Sequence, residues 1–383
     1  MNSSKLLSSV KGLAPGLRRE WPLFVSLITT VLFLAFSSGW MADLSNVAWF
    51  AGLFGWLFGA ILLSAFAVVR HAESIAMRLG EPLGTLVLTL SVTGIEVMMI
   101  SAFMYTGQGN SSLARDAMFA VVMIVLNGMV GLSLLLGGLR HHEQTYNLQG
   151  ANAFLTVIIP LAVLGLVLPN FTTSSPGPTF SPLQSAFLII MSIGLYGVFL
   201  AIQNVRHRDY FMMPTAEEEG KDSGAAWHEP LEIRSIAYHI VLLLAYLLPV
   251  VVLAKQLAVP IDYGIRVLQA PAALSGFLVA VLILSPESLG ATRAALANQL
   301  QRSVNILLGS VLATISLTIP SVLVIGFITD RTIVLGLDAV DIMLLALTLA
   351  VSMLTFASLR TYVLLGAVHL LLFLAYLMLM FEK

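Results

Sequence analysis

Two stretches decide the reading of this chain: Gly80 to Ile100, GEPLGTLVLTLSVTGIEVMMI, and Leu284 to Pro320, LSPESLGATRAALANQLQRSVNILLGSVLATISLTIP. Each sets one glutamate, Glu96 or Glu287, beside a helix breaker in an apolar span. An ionised carboxylate in hydrocarbon costs on the order of 3 kcal/mol by insertion scales, so such a residue marks a functional site by default. Gly94 stands two residues before Glu96 in a run with Ser91, Val92 and Thr93, and Pro286 directly precedes Glu287 after Ser285. Proline removes a backbone donor and glycine lets the backbone open, so helix breaks are expected at both places. Carbonyls freed there, beside a carboxylate, make an oxygen-rich pocket suited to a hard cation.

The composition puts that pocket in a membrane. At 58% apolar and 10% charged, with a mean hydropathy of +0.94, the chain is too oily for a soluble domain of 383 residues. Lys+Arg of 19 against Asp+Glu of 20 leaves a net charge of -1, so nothing points to nucleic acid; membrane lipid is the expected surrounding partner. With no cysteine there is no disulfide framework, thiol nucleophile or Cys-ligated zinc.

Working outward from the two stretches, hydropathy divides the chain into about eleven spans of a length that crosses a hydrocarbon core. They run Pro22 to Trp40, Val47 to Val69, Leu83 to Tyr105, Ala117 to Leu139, Ala151 to Leu168, Leu183 to Asn204, Ile236 to Leu253, Ala270 to Gly290, Val304 to Thr329, Thr332 to Thr355 and Tyr362 to Met380. If the N-terminus is cytoplasmic, fourteen of the 19 basic residues fall on the cytoplasmic side and five (Arg115, Lys255, Arg266, Arg331, Lys383) on the other. That is the positive-inside pattern, with the N-terminus in and the C-terminus out. Arg18 and Arg19 before an apolar run ending near Ser37, Ser38 and Gly39 also fit a signal peptide. A retained first helix is preferred, because cleavage would leave the next span to orient itself.

Residues 205–235 form an acidic linker, with seven acids against four bases. The expected fold is an all-α integral membrane protein of 1 + 5 + 5 helices. Residues 1–45 hold the cytoplasmic N-terminus and an extra helix, 46–204 a first five-helix repeat, and 236–383 a second. An odd number of spans per repeat inverts the second half, and inverted repeats place ion sites near the midplane. Glu96 and Glu287 occupy the second span of each half. The following spans carry Asn127 with Gly128, and Gly309, Ser310 and Thr314. Asn127, Ser310 and Thr314 are candidate oxygen ligands, although such residues are also ordinary packing residues of membrane helices.

At this point the residues carry a resemblance. The paired segments resemble the two α-repeats of the Ca²⁺/cation antiporter superfamily, and GEPLGTLVLTLSVTGIEV with SPESLGATRAALANQLQRSVNILLGSVLATISLTIP resembles its bacterial ChaA-type branch of calcium/proton exchangers. The resemblance extends over essentially the whole chain. It implies a proton-driven exporter of the bacterial inner membrane in which one acid per repeat, here Glu96 and Glu287, binds cation and proton in turn. Eukaryotic members show Gly-Asn-x-x-Glu, whereas the matching stretches here read Val-Thr-Gly-Ile-Glu and Leu-Ser-Pro-Glu. That departure leaves Ca²⁺, Na⁺ and K⁺ open as cargo, and no cofactor is implied.

The expected mechanism is competition of protons and metal for the same carboxylate oxygens, with helices moving around a fixed site. Glu81, before Pro82, is a candidate ligand at the cytoplasmic mouth, though helix starts favour acids anyway. His71, His141 and His142 read as solvated flanks or pH sensors. Glu217 to Glu219 read as solvated linker rather than a regulatory Ca²⁺ loop, for want of regular ligand spacing. A passive cation channel is the reading from another class. An enzyme is disfavoured: Asp338 and Asp341 share one helix end, and His239 and His369 lack a nucleophile for intramembrane proteolysis. Nor is there a P-loop for ATP-driven pumping.

Overall fold

The computed structural model describes residues 20–80, 83–106, 111–213 and 234–382. Among these, eleven helices carry the fold, ten of them long and apolar enough to cross a membrane. They are α1 (Trp21–Trp40), α2 (Val47–Leu79), α3 (Leu83–Thr106), α4 (Leu113–His141), α5 (Leu148–Phe171), α6 (Pro182–Arg206), α7 (Ile236–Arg266), α8 (Ala273–Leu296), α9 (Leu300–Thr329), α10 (Ala339–Thr355) and α11 (Val363–Phe381). Lipid offers no partner for backbone N–H and C=O groups, so the chain satisfies them within helices. The protein is a multi-pass membrane protein.

Loop contacts establish an alternating traverse. Gln144–Thr145, after α4, pairs with Arg360–Thr361, before α11, in a two-stranded ribbon, and Gln144 Nε2 donates to the carbonyl of Ala295 at the end of α8 (2.8 Å). At the opposite end, Arg331 after α9 donates to the Met104 carbonyl of α3, and Arg115 at the start of α4 reaches the Gly336 carbonyl. α2 and α7 pack along each other extensively, as do α4 and α8. α1 is tied to both by a buried cluster at its N-terminus. The Glu20 carboxylate accepts from Arg70 (2.6 Å) and Tyr246 (2.8 Å), and His71 contacts both Glu20 and His239.

Where small residues recur, helices touch backbone to backbone. A Cβ on Gly276 of α8 would lie 2.5 Å from the Ala117 nitrogen of α4, and one on Gly366 of α11 would lie 2.5 Å from the Leu135 nitrogen. Close approach of this kind substitutes for the hydrophobic drive that lipid does not supply.

Several boundaries differ from the expectation. α2 does not stop at Val69 but runs 33 residues to Leu79, ending where Gly80 adopts φ 65°. One face of Arg70 to Arg78 is buried, so tertiary packing carries the helix beyond the apolar run. α7 likewise passes Leu253, through Pro249 and Pro260, to Arg266. The tenth span is shorter: α10 starts at Ala339 because the Asp338 side chain accepts from the Asp341 N–H and caps it. Residues 332–338 extend instead along the neighbouring loop, with the N–H groups of Leu335 and Gly336 on the Pro178 carbonyl. Ile333, Leu335 and Leu337 are buried there, which explains an apolar signal without a helix.

Candidate functional site

A cavity of about 250 Å³ lies between α2, α3, α5, α6, α8 and α9. One stripe of α3 lines it, Thr89, Val92, Thr93 and Glu96, spaced i, i+3, i+4, i+7 as a single helix face requires. α8 contributes Ile283, Pro286, Glu287 and Gly290, and α9 contributes Gly309, Ser310 and Thr314. Both predicted glutamates therefore meet in one cavity, although they come from different halves of the chain.

α9 holds the pair. The Thr314 hydroxyl donates to Glu96 Oε2 at 2.9 Å, and the Ser310 hydroxyl, one turn earlier on the same helix, lies beside Glu287 in the cavity lining. Residues four apart on a helix are neighbours, with Cβ atoms about 6 Å apart, so the hydroxyls beside the two carboxylates stand one helical turn from each other. Glu96 is only 2% exposed, and its Oε1 has no hydrogen-bond partner; nor does the buried Glu287 Oε2. A buried acceptor left unpaired costs its desolvation, about 1 to 3 kcal/mol and more when charged, unless a proton or cation supplies the missing contact. Glu96 thus has one oxygen anchored by Thr314 and one to offer, and Glu287 likewise has a buried oxygen to offer. Arg293, the single basic residue near Glu287 in sequence, is exposed in the last turn of α8 and leaves the pair its negative character.

The expected helix breaks are not where the sequence put them. α3 runs unbroken through Gly94, and α8 through Pro286. Next to Pro286 the hydroxyls of Ser285 and Ser288 hydrogen-bond carbonyls one turn back, at Val281 and Leu284, which keeps the turn polar yet helical. The irregular backbone lies instead in later helices, as π turns at Met123–Met129 of α4, Val163–Val167 of α5, Ile202–Arg206 of α6 and Thr314–Thr318 of α9. In α9 the cause is Pro320, which lacks an N–H and whose ring crowds the Ser316 carbonyl four residues back. No proline accounts for the turn in α4.

Asn127 is brought to a different place. It sits in the π turn of α4, fully buried, donating from Nδ2 to the Thr348 hydroxyl (2.8 Å), with Oδ1 3.2 Å from His369 Nδ1. His369 Nε2 in turn meets the Thr355 hydroxyl (2.9 Å). This polar chain joins α4, α10 and α11 and does not line the cavity, so both sides of the Asn127 amide serve packing. Glu81 lies outside the described residues, as do Glu217, Glu218 and Glu219. The start of the linker is docked rather than solvated: Phe211 is buried against Phe154 and Phe199, and its carbonyl accepts from Asn305. His71 is likewise no solvated flank, being 2% exposed within the Glu20 cluster.

Glu73 escaped the sequence reading, which ended the second span at Val69. It lines the cavity from α2, one turn beyond Val69. The signal was present: from Asn46, whose side chain caps α2, to Gly80 no proline interrupts the helix, and buried positions continue through Ala72 and Ile75.

Comparison with known proteins places this architecture. The profile of the family described as sodium/calcium exchanger protein matches residues 49–205 and 238–382, both halves of the chain. The chain is 44% identical over 322 residues to the "Putative ionic transporter y4hA" of Sinorhizobium fredii, and 43% identical over 321 residues to the "Sodium-potassium/proton antiporter ChaA" of Escherichia coli. Each match covers 84% of this chain and 86% of the relative. In fold it resembles the solved structure of native YfkE, with a TM-score of 0.71 at 16% identity, covering 94% of this chain and all of that one. It also resembles the H⁺/Ca²⁺ exchanger CAX, with a TM-score of 0.59 at 16% identity, covering 91% and 88%. The chain, with a carboxylate from each half meeting in one buried cavity, is a member of the sodium/calcium exchanger protein family.

Proposed function

We propose that the protein is a secondary active cation/proton antiporter, exchanging Ca²⁺, Na⁺ or K⁺ for H⁺ at Glu96 and Glu287. The observation that carries this reading is the pair itself: two carboxylates from opposite halves of the chain in one cavity, Glu96 held by the Thr314 hydroxyl, each with one buried oxygen unpartnered. A proton or a metal ion can satisfy those oxygens, and both cannot do so at once. Occupancy by either neutralises charge that is costly to move through hydrocarbon, so exchange follows if only neutralised states cross. Ser310 and Thr314 serve as neutral oxygen ligands beside the pair.

Cargo follows from charge. Two carboxylates balance one divalent cation against two protons, whereas a monovalent cation requires one. The Escherichia coli relative, named a sodium-potassium/proton antiporter, favours monovalent cargo. The two-carboxylate site favours a divalent ion. We place the protein in the bacterial inner membrane as a 1 + 5 + 5 arrangement of inverted repeats, N-terminus cytoplasmic and C-terminus outside, on the strength of the basic-residue asymmetry.

The test is proton flux in proteoliposomes driven separately by Ca²⁺, Na⁺ and K⁺. Glu96→Gln and Glu287→Gln keep shape but cannot cycle charge, so each is expected to abolish coupled exchange while inserting normally. In the wild type, apparent cation affinity falls as pH falls, because protons compete for the same oxygens. Cation flux that persists at the normal rate without proton movement would identify a channel instead.

A further inference from the structure

Three carboxylates line the cavity, not two: Glu73 of α2 joins Glu287 of α8 and Glu96 of α3. The C-terminal ends of α2 and α8 and the N-terminal ends of α3 and α9 lie on one side of the fold. Measured along each helix from that side at 1.5 Å per residue, Glu73 is about 9 Å in, Glu287 about 14 Å and Glu96 about 20 Å. Electrostatic neighbours run in the same order, since Glu287 is within reach of Glu73 on one side and of Glu96 on the other. Among the described residues, no three acidic or histidine side chains converge closely enough to hold one metal ion. The carboxylates therefore form a row, not a cage.

A row with Glu287 in the middle divides into two overlapping pairs. The inner pair, Glu96 with Glu287, has the Thr314 hydroxyl bonded to Glu96 and Ser310 lining the cavity beside Glu287. Gln203, near the C-terminal end of α6, and Gly290 of α8, one turn nearer that side than Glu287, also line the cavity and belong by position with the outer pair, Glu73 and Glu287. Gln203 presents an amide oxygen, a neutral ligand of the kind hard cations accept, and Gly290 leaves room beside Glu287, with nothing nearer to a Cβ there than Ile306 Cδ1 at 3.9 Å. The unpartnered buried oxygens of Glu287 and Glu96 show that the row is built to receive charge from outside the protein. An ion already sharing Glu287 needs to exchange only one carboxylate to pass from the outer pair to the inner one.

We propose, on the reading that Glu96 and Glu287 form the exchange site, that Glu73 and Glu287 form a second, outer subsite for a partly dehydrated hard cation on its way between the α2–α3 side and the inner pair. Glu73 is then a ligand of access and not of coupling. This role is sided, because an ion arriving from the opposite face meets the inner pair without passing Glu73.

The experiment compares wild type, Glu73→Gln and Glu73→Asp in membrane vesicles of both orientations, measuring initial rates of proton-coupled flux with Ca²⁺, Na⁺ and K⁺ as separate probes. Glu73→Gln should raise KM for the transported cation about tenfold, the scale of one lost charge-assisted ligand, when cation is offered from the α2–α3 side. It should leave KM from the other face and the maximal rate unchanged, and Glu73→Asp should recover part of the sided affinity. Unchanged KM for all three cations would overturn the subsite, as would a rise equal from both faces or a loss of maximal rate. If Glu73→Gln does not insert, Glu73→Asp carries the same test, a sided rise supporting the subsite and an unsided or absent one refuting it. Glu96→Gln and Glu287→Gln run alongside: normal exchange in either sinks the exchange-site reading, whereas the Glu73 outcomes sink only the outer subsite.

Discussion

Ser310 and Thr314 stand four positions apart, and that interval puts one hydroxyl beside each of two carboxylates from opposite halves of the chain. Asn127 is the counter-example at the same scale, a polar residue in mid-membrane whose chemistry fits a cation but whose amide is consumed by Thr348 and His369. Asn127→Leu should therefore cost stability, about 1 to 3 kcal/mol for the buried partners it strands, and lower the melting temperature in detergent. Cation KM should stay at the wild-type value; a higher KM with unchanged melting would return Asn127 to the ligand set. The difference between Asn127 and Ser310 is direction around a helix, and sequence alone does not report it.

At the scale of the helix, continuity is decided by what packs alongside. Pro286 fails to break α8, while Pro320 displaces the hydrogen-bond ladder of α9 into a π turn that begins at Thr314, the residue holding Glu96. The extra helix α1 is fastened by Glu20, just outside its first turn. Burial by itself would raise the pKa of this carboxyl, but hydrogen bonds from His71 and Tyr246 and the Arg70 guanidinium more than offset that and hold it at about 2. A depressed carboxyl contributes stability that is present above its unfolded pKa, near the ordinary 4.5, and is lost as pH falls toward 2. Glu20→Gln should thus melt at lower temperature than wild type at neutral pH, with the gap closing as pH drops below about 4.5. A gap independent of pH between 7 and 3 would show that the ionised clamp contributes nothing.

For the whole molecule, the ribbon between Gln144–Thr145 and Arg360–Thr361 and the contacts of Arg331 with Met104 assign alternate loops to opposite ends. Which end faces the cytoplasm rests on the basic residues. The absence of native cysteine makes labelling direct. Single cysteines at Ser3 and Gly220 should be shielded from an impermeant thiol reagent applied outside intact cells, and one at Glu382 should react. Labelling of Ser3 and Glu382 from the same side would refute the eleven-span topology.

Membrane residence, the approximate spans and the choice of Glu96 and Glu287 as site candidates follow from sequence alone, because hydrocarbon penalises charge and unpaired backbone so heavily that each exception is visible residue by residue. The resemblance of the two glutamate segments to a known pair of repeats was legible for the same reason, being carried in contiguous residues. What required the tertiary structure was everything that depends on which face of a helix meets which neighbour. Glu73 enters the cavity because α2 stays helical past its apolar run, with Ala72 and Ile75 buried against neighbouring helices. Asn127 leaves the site because α10 and α11 claim it, and the stretch before Asp338 extends because a loop carbonyl at Pro178 accepts its N–H groups. Those outcomes turn on contacts between residues far apart in the chain, and a local apolar pattern carries no record of its partners.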